Sequence, residues 1–329
     1  MLQKKHALII GVAGIMSLLL GFVSFSFSAE IDAAPYLRMG AGARSIGMGS
    51  AFTAVADDAT SILLNPGGLA NVKEDYSLLL FTSKMSLDRE HSLIAGTVNF
   101  GDAGAIGCAL IDTGTKGIRA YSSTGEPGEE FDASNMAIAL SYGYGVKGVA
   151  EESPVENISF GGGIKILTES FGAEGSERTT GFGGLDVGVI ANGFSDKISC
   201  GLTVRNLGGK LGDGTIPPAL DLGIAYKLLT KEEHQAIVAF DVEKEIVTLP
   251  ESTFSIRIGA EYWLKNTLAV RVGSQRTKDR RSLYAGFGVK VANLQLDYAF
   301  KPSDNAVNRL DDSNMHYVSL SYGFLAVQN

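Results

Sequence analysis

Apolar and polar side chains alternate over most of the chain after residue 76, and this period of two limits the fold more than any other sequence feature. The clearest example is the segment 254–264, FSIRIGAEYWL. Its even-numbered positions from Phe254 to Leu264 are apolar, and its odd-numbered positions include Arg257 and Glu261. Successive side chains of a strand point to opposite faces, so this alternation predicts strands with one apolar and one polar face.

The same pattern recurs to the C-terminus and predicts fourteen strands. Many of them have about 9–11 residues, the length that a tilted strand needs to cross the hydrocarbon layer. The predicted strands are 76–84, 91–100, 103–113, 132–145, 156–170, 180–192, 196–206, 218–229, 234–245, 252–264, 266–275, 281–290, 293–301 and 314–324. Residues 76–329 therefore predict an all-β fold, a transmembrane antiparallel β-barrel of about 14 strands.

A soluble β-sandwich or β-propeller would also alternate, with its polar face in water. Two features favour a membrane barrel. The polar faces carry isolated charges of both signs, which a lumen can hydrate or pair: Lys165, Asp186, Arg205, Asp221, Arg257, Glu261, Arg271 and Asp297. The apolar faces end in aromatic residues, as expected at lipid headgroups: Tyr142, Tyr144, Tyr226, Tyr262, Tyr298, Phe300, Tyr322 and Phe324.

The predicted connections also sort by length. Short turns are predicted at 101–102, 192–195, 265–266 and 291–292, and long loops at 114–131, 171–179, 207–217, 246–251, 276–280 and 302–313. The segment 146–155 is longer than the other turns, and 230–233 is a partial exception. Short turns at the periplasmic end and longer loops outside are typical of outer-membrane barrels.

The N-terminus predicts export. Lys4 and Lys5 precede an apolar stretch over residues 7–27, and Ser28 and Ala29 are small residues suited to signal peptidase. Residues 1–29 therefore predict a signal peptide, with the cleavage point open between Ser28 and Ala29. An uncleaved anchor is the alternative. Together with the strands, this predicts a location in a bacterial outer membrane.

Residues 30–75 do not alternate, and they predict short helical turns. Glycines at Gly40, Gly42, Gly47 and Gly49 allow close backbone approach, and a first helical turn is expected over residues 51–56. Asp57 and Asp58 precede the apolar turn 62–64, which is ended by Asn65, Pro66, Gly67, Gly68 and Leu69. A barrel of 14 strands leaves a lumen, so the segment predicts an N-terminal plug. An ordinary periplasmic tail is the alternative.

Residues 38–70, RMGAGARSIGMGSAFTAVADDATSILLNPGGLA, resemble the N-terminal signature of the PorV/PorQ family. That family is related to the FadL-like outer-membrane transporters of hydrophobic compounds. The signature consists of a glycine-rich run, an Ala-Asp-Asp-Ala turn and an Asn-Pro-Ala-Gly-Leu motif. Leu64 stands where an aromatic residue is common, and Gly67 where alanine is usual.

The resemblance implies a 14-stranded barrel with an N-terminal hatch, and it offers two functions. FadL-like proteins bind hydrophobic small molecules, such as fatty acids, and release them sideways through the wall. PorV-like proteins work with the type IX secretion machinery at the cell surface. The partners implied are therefore outer-membrane lipid with either a hydrophobic small molecule or secretion proteins.

No motif predicts an enzyme, a metal site or a cofactor. The histidines are scattered, no Gly-x-Ser-x-Gly elbow is present, and Ser45 replaces a glycine that a dinucleotide loop requires. The net charge of −8 makes nucleic acid an improbable partner. Two cysteines, Cys108 and Cys200, do not make a disulfide scaffold and are expected to be small apolar fillers.

Two further clusters suggest sites. Glycines inside predicted strands allow either approach of the plug or a kinked lateral exit for an apolar ligand: Gly161, Gly162, Gly163, Gly183 and Gly184. Basic residues in a predicted outer loop suggest either a solvated loop or contact with lipopolysaccharide phosphates: Arg276, Lys278, Arg280 and Arg281.

Overall fold

The computed structural model describes residues 33–85, 89–122, 124–148, 155–172, 177–193, 195–246, 254–278, 280–303 and 314–325. The predicted signal peptide, residues 1–29, lies outside these ranges. In the described part of the chain, no helix is both long and apolar enough to cross a membrane.

The strands form one closed antiparallel barrel. Its strands are β1 Tyr76–Lys84, β2 Arg89–Asn99, β3 Ala105–Tyr121, β4 Pro127–Lys147, β5 Val155–Gly172, β6 Glu177–Gly193, β7 Ile198–Leu207, β10 Ala219–Thr230, β11 His234–Glu245, β12 Phe254–Leu264, β13 Leu268–Arg276, β14 Arg281–Val291, β15 Leu294–Lys301 and β16 Met315–Phe324. Each strand pairs with its neighbours in sequence, and β1 pairs with β16 to close the cylinder. The prediction of 14 strands is confirmed.

Two small strands, β8 Lys210–Leu211 and β9 Gly214–Thr215, form a hairpin between β7 and β10. The hairpin pairs with β6 through Gly181 and Phe182. Its Leu211 and the following Ile216 are buried, so it folds inward rather than outward.

The side-chain alternation places apolar residues on the outer face of the barrel. Leu80, Ile138, Ile258 and Val270 are exposed there, whereas their sequence neighbours point inward. The exposed aromatic residues at the end where β1 begins and β16 finishes include Tyr76, Tyr142, Tyr144, Tyr226, Tyr322 and Phe324. Cys108 and Cys200 lie within β3 and β7, as expected, and they are free cysteines exposed on the outer face.

The two ends of the barrel differ. We call the end that carries the start of β1 and the finish of β16 the terminal end, and the other the loop end. The longest connections, 208–218 and 302–314, lie at the loop end, and short turns such as 265–267 and 292–293 lie at the terminal end.

Two predicted outer loops are wrong in their extent. Much of 114–131 and 171–179 continues as strand, because β3 pairs with β4 as far as Tyr121 and Pro127, and β5 with β6 as far as Phe171 and Glu177. These segments lack a clear apolar face, which is the signal that marks the other strands. Strands β3 to β6 therefore rise above the rest of the barrel.

Residues 33–75 form short helical turns, and the apolar turn expected at 62–64 lies in the helix Ser61–Leu64, whereas the first turn lies elsewhere than expected. The helices are Pro35–Arg38, Ala43–Gly47, Ser61–Leu64 and Pro66–Asn71. The helix predicted over 51–56 does not form, and Ser50 adopts a left-handed backbone with φ 61°. The first α-helix instead lies within the glycine-rich run.

Candidate functional site: the barrel lumen and its N-terminal segment

The N-terminal segment, residues 33–75, lies inside the barrel. Its apolar side chains, among them Met48, Phe52, Ile62 and Leu69, are almost fully buried against inward-facing residues of the strands. The contacts reach β3 to β6 on one side and β13 to β16 on the other. The segment therefore crosses the lumen from wall to wall.

Glycines in the wall make this close fit possible. We call them the wall glycines: Gly107, Gly143, Gly161, Gly188, Gly201, Gly223, Gly259, Gly273 and Gly286, on nine different strands. A Cβ atom at each position would meet an atom of the segment, in most cases its backbone. At Gly161 it would overlap the carbonyl group of Pro66, and at Gly273 the peptide between Met48 and Gly49. The barrel wall is therefore shaped to the backbone of the segment.

The glycines of the segment itself serve different purposes. Gly40, Gly42 and Gly49 have positive φ values of 90°, 78° and 65°, which L side chains rarely adopt. Gly47 lies against Arg271 and Gly286 of the wall. Gly67 packs on the backbone of β5 and β6, and Gly68 packs on Ala56 within the segment.

Asn65 fixes the bend between the two last helices. Its side-chain amide donates to the carbonyl of Thr53 at 2.8 Å, and its oxygen accepts from the backbone N–H of Gly67 at 3.1 Å. Pro66 follows at the first position of the next helix, where its missing N–H costs no bond. Asn65 is fully buried and lies against Gly188 of the wall.

Asp241 anchors the middle of the segment to β11. One carboxylate oxygen accepts from the backbone N–H groups of Phe52 and Thr53, at 2.7 and 2.8 Å. The residue is completely buried. Hydrogen bonds that involve a charged partner are stronger than neutral ones.

We expect Asp241→Ala to destabilise the packing of residues 33–75 in the lumen by about 2–3 kcal/mol, because the amides of Phe52 and Thr53 both lose a charged acceptor. Asp241→Asn keeps one carbonyl acceptor and should cost less. Hydrogen exchange at the amides of Phe52 and Thr53 measures both effects. Equal protection in the Ala variant and the wild type would contradict the anchor role.

Arg44 connects the segment to β12, the strand next to β11. Its guanidinium donates two bonds of 2.9 Å to Glu261 on β12 and also contacts Asp57 and Asp58 at 2.5 and 3.1 Å. Burial raises the pKa of the Asp57 carboxyl above its ordinary value, although the adjacent Arg44 opposes this shift. Arg44 thus joins both predicted acidic residues of the segment to the barrel.

Glu261 continues the network within the wall. It accepts from Arg271 at 2.6 Å, and Arg271 also donates to Asp297 at 2.8 Å. Arg271 is fully buried beneath the ring of Trp263, 5.4 Å from its centroid. The inward-facing charges expected for a lumen are therefore held by ion pairs.

A second ion network lies on β7, β10, β11 and β12. Arg205 and Arg257 alternate with Asp221 and Glu243, so that each arginine contacts both acids. We call these four residues the charged quartet. Their charges balance, and the network links four neighbouring strands.

The segment lies between two cavities. The cavity toward the loop end measures about 320 Å³ and is lined by apolar residues such as Phe52, Leu63, Leu64 and Ile111 on one side. The charged quartet lines the same cavity on another side. The cavity toward the terminal end measures about 610 Å³ and is lined largely by polar residues, including Asp57, Asp58, Lys227 and Lys290.

The predicted glycine cluster on β5 and β6 divides into different roles. Gly161 faces the segment, and Gly162 faces outward. Gly163 lies against Ser141, Gly183 lies against Lys165, and Gly184, with φ 92°, lies against the backbone of Asn206. Only Gly161 therefore makes room for the segment.

The wall between β5, β6 and β7 is irregular near Gly183 and Gly184. The pairing register shifts between Ile164 and Ile166 on β5, and between Leu185 and Val187 on β6. Lys165 and Asp186 form a buried ion pair there, and the amide of Asn206 donates to Asp186 at 2.8 Å. Pairing continues on both sides of each shift, so the predicted kink is a bulge in a closed wall.

The bulged seam borders the loop-end cavity, because Lys165 and Asn206 line it. The inward hairpin β8–β9 begins just beyond this seam. Its Thr215 carbonyl accepts from the amide of Ala33 at 3.2 Å, which joins the hairpin to the first described residue of the segment.

The predicted basic cluster lies away from the lumen. Arg276, Lys278, Arg280 and Arg281 are all exposed at the loop end of β13 and β14. Arg276 and Arg281 are directly opposite each other in the pairing register.

The wall glycines and His91 were not identified as site residues from the sequence. Most wall glycines are isolated within strands, and only their inward register, read against the alternation, could have identified them. His91 on β2 contacts Thr113 at 2.6 Å and donates to the carbonyl of Gly40 at 3.1 Å. Its inward position follows from the period of two, but its partner does not.

Known structures share this architecture. No protein-family model and no curated protein sequence matches the chain. The barrel is similar to those of two toluene transporters. TodX of Pseudomonas putida superposes with a TM-score of 0.59 at 12% identity, over 87% of this chain and 99% of TodX. TbuX of Ralstonia pickettii superposes with a TM-score of 0.60 at 13% identity, over 87% of this chain and 98% of TbuX. At these identities the likeness establishes the fold.

Proposed function

We propose that this chain is an outer-membrane barrel that binds hydrophobic small molecules and passes them through its wall or lumen. The apolar outer face supports the membrane location, since Ile94, Ile166, Leu222 and Val272 are exposed on strands from all around the cylinder. An apolar band of this extent would be unfavourable in water. In this arrangement the terminal end faces the periplasm.

The loop-end cavity is the observation that carries the proposal. Its volume of about 320 Å³ lies in the range of small-molecule sites, and it has an apolar patch beside a strongly charged one. Phe52, Leu63, Leu64 and Ile111 would contact an apolar chain, and the charged quartet would lie near a polar end. A fatty acid has this character.

The N-terminal segment acts as the plug in this proposal. It lies between the loop-end cavity and the terminal-end cavity, and a bound molecule must pass it or leave sideways. The seam at Gly183 and Gly184 is the favoured exit, because it borders the loop-end cavity and its ladder is already interrupted by bulges. Similarity to barrels named toluene transporters also supports transport of hydrophobic compounds.

An uptake assay tests the function. Liposomes that contain the purified chain should take up a long-chain fatty acid faster than empty liposomes. A deletion strain should grow more slowly on the same fatty acid and recover with the intact gene. No uptake in either system would reject the transporter proposal.

Filling the cavity provides a sharper test. We expect Leu64→Trp to weaken binding of a fluorescent long-chain fatty acid about tenfold, because the indole ring would occupy space that the ligand needs. Leu80→Trp is the matched control, since Leu80 is exposed on the outer face. Fluorescence titration in detergent compares the two. Similar affinities in both variants would place the ligand elsewhere.

A second candidate is a PorV-like role in protein secretion. The long strands β3 and β4 favour it, because residues 116–122 and 124–131 extend beyond the neighbouring strands and are largely exposed. Such a projection offers a surface for other proteins. Absence of fatty-acid uptake together with co-purified secreted proteins would support this second function over transport.

A further inference from the structure

The exposed basic residues at the loop-end rim lie on one sector of the barrel. Arg276 and Arg281 end β13 and β14, and Lys244 lies near the end of β11. All three belong to the outward-facing register of their strands and are exposed. We call these three residues the basic rim.

Arg276 and Arg281 lie just beyond the exposed apolar residues of their strands. Leu283 is the next outward residue below Arg281, and Val272 lies two outward positions below Arg276. Both are strongly exposed members of the apolar band. Since a strand rises about 3.4 Å per residue, the backbone of Arg281 lies roughly 7 Å and that of Arg276 roughly 14 Å farther along the strand than these residues, beyond the apolar band where headgroups are expected.

Two arginines directly opposite each other in a sheet repel unless an anion lies between them. Arg276 and Arg281 are such a pair. Among the described outward residues of β11 to β14 at this height, the neighbours are apolar or uncharged, such as Phe254 and Ile256. The sequence of the turn, RTKDRR, contains a single acid, Asp279, among four bases.

The opposite sector of the rim differs in charge. On β1 and β2, Lys84 lies opposite Glu90, so cation and anion are paired in register. On β3 and β4, acids lie among the exposed bases of the loop end: Gly117, next to Lys116, donates its backbone N–H to Asp132, and Arg119 pairs with Glu130. In the described part of this sector the bases therefore have acidic neighbours, whereas the outward neighbours of Arg276 and Arg281 on β12 to β14 are apolar or uncharged.

We propose that the basic rim binds the phosphate groups of lipopolysaccharide in the outer leaflet. Arginine binds phosphate through parallel N–H bonds, and two opposed arginines supply a pair of such forks. The inference rests on the proposed membrane orientation, in which the loop end faces outward. It is independent of which molecule the barrel transports.

Lipid A binding to the full chain in detergent tests this site. We expect bisphosphorylated lipid A to bind about tenfold more tightly than the same lipid without phosphates. The double variant Arg276→Gln, Arg281→Gln should lose this difference. The matched control, Lys84→Gln with Lys116→Gln, removes the same charge from the other sector and should retain it.

Several results would overturn the proposal. These are equal binding of the two lipids to the wild type, an unchanged preference in the arginine variant, and an equal loss in the control. Displacement of lipid A by excess inorganic phosphate would indicate a free-anion site instead. If the arginine variant fails to fold, the comparison of the two lipids on the wild type still decides. Transport is not needed for this measurement, so failed uptake leaves its result intact.

Discussion

Replacing Arg44 with methionine is expected to release the N-terminal segment from the wall, at a cost of about 3–5 kcal/mol to its seating. Arg44 bonds Glu261 twice and contacts Asp57 and Asp58, and its side chain is largely buried. Methionine fills similar space but leaves Asp57 and Asp58 without their cation and Glu261 with Arg271 as its remaining cation. The expected outcome is faster hydrogen exchange throughout residues 33–75.

A matched control separates this effect from a general loss of charge. Lys227→Met removes the cation of an exposed pair with Asp196, and such pairs contribute about 1 kcal/mol or less. A gel assay for heat-modifiable migration would show that both barrels are assembled. If exchange in the segment were the same in the two variants, Arg44 would not be the link between segment and wall.

The second large effect is expected at Gly161. Gly161→Val would place side-chain atoms where the carbonyl group of Pro66 lies, and backbone on both sides restricts relaxation. Overpacking of this kind costs about 3 kcal/mol, which corresponds to roughly a hundredfold shift toward the released segment. We expect increased proteolysis of residues 33–75 and higher ion conductance in planar bilayers.

The adjacent glycine is the control for this experiment. A Cβ at Gly162 points outward, and the nearest atom it would meet is the carbonyl oxygen of Asp186 at 3.7 Å. Gly162→Val should therefore leave conductance and proteolysis near the wild-type level. If the Gly161→Val and Gly162→Val barrels both had the low conductance of the wild type, the wall glycines would not be needed to hold the segment in the lumen.

The strand pattern was predictable because it depends on local sequence. The segment 254–264 alternates strictly, and its inward and outward residues are placed by the structure as the alternation requires. The loop-side ends of β3 to β6 could not be predicted from the sequence. The residues that lengthen these strands pair with a neighbouring strand but bury no apolar face. Of the helical turns in residues 33–75, the apolar turn at 62–64 was placed correctly, because Asn65 and Pro66 end it locally, whereas the turn expected over 51–56 does not form, since that stretch is shaped by the wall around it.

The residues of the lumen were likewise predictable in part: their inward direction follows from the sequence, but their partners do not. Alternation alone indicates that Glu261, Arg271 and Asp297 point into the lumen. Sequence spacing does not show that Glu261 meets Arg44, 217 residues earlier, or that Asp241 receives two amides of the segment. Such pairs arise only when the cylinder closes and the register of each strand is set.

The number of strands, their two faces and the compact character of the first folded residues can be read from local sequence. They follow from side-chain period and from glycine and proline, which act over a few residues. Which turn packs on which wall glycine, and which charges pair across the lumen, depends on the closed barrel. Closure of the barrel brings distant segments together, and that geometry is not contained in any local pattern.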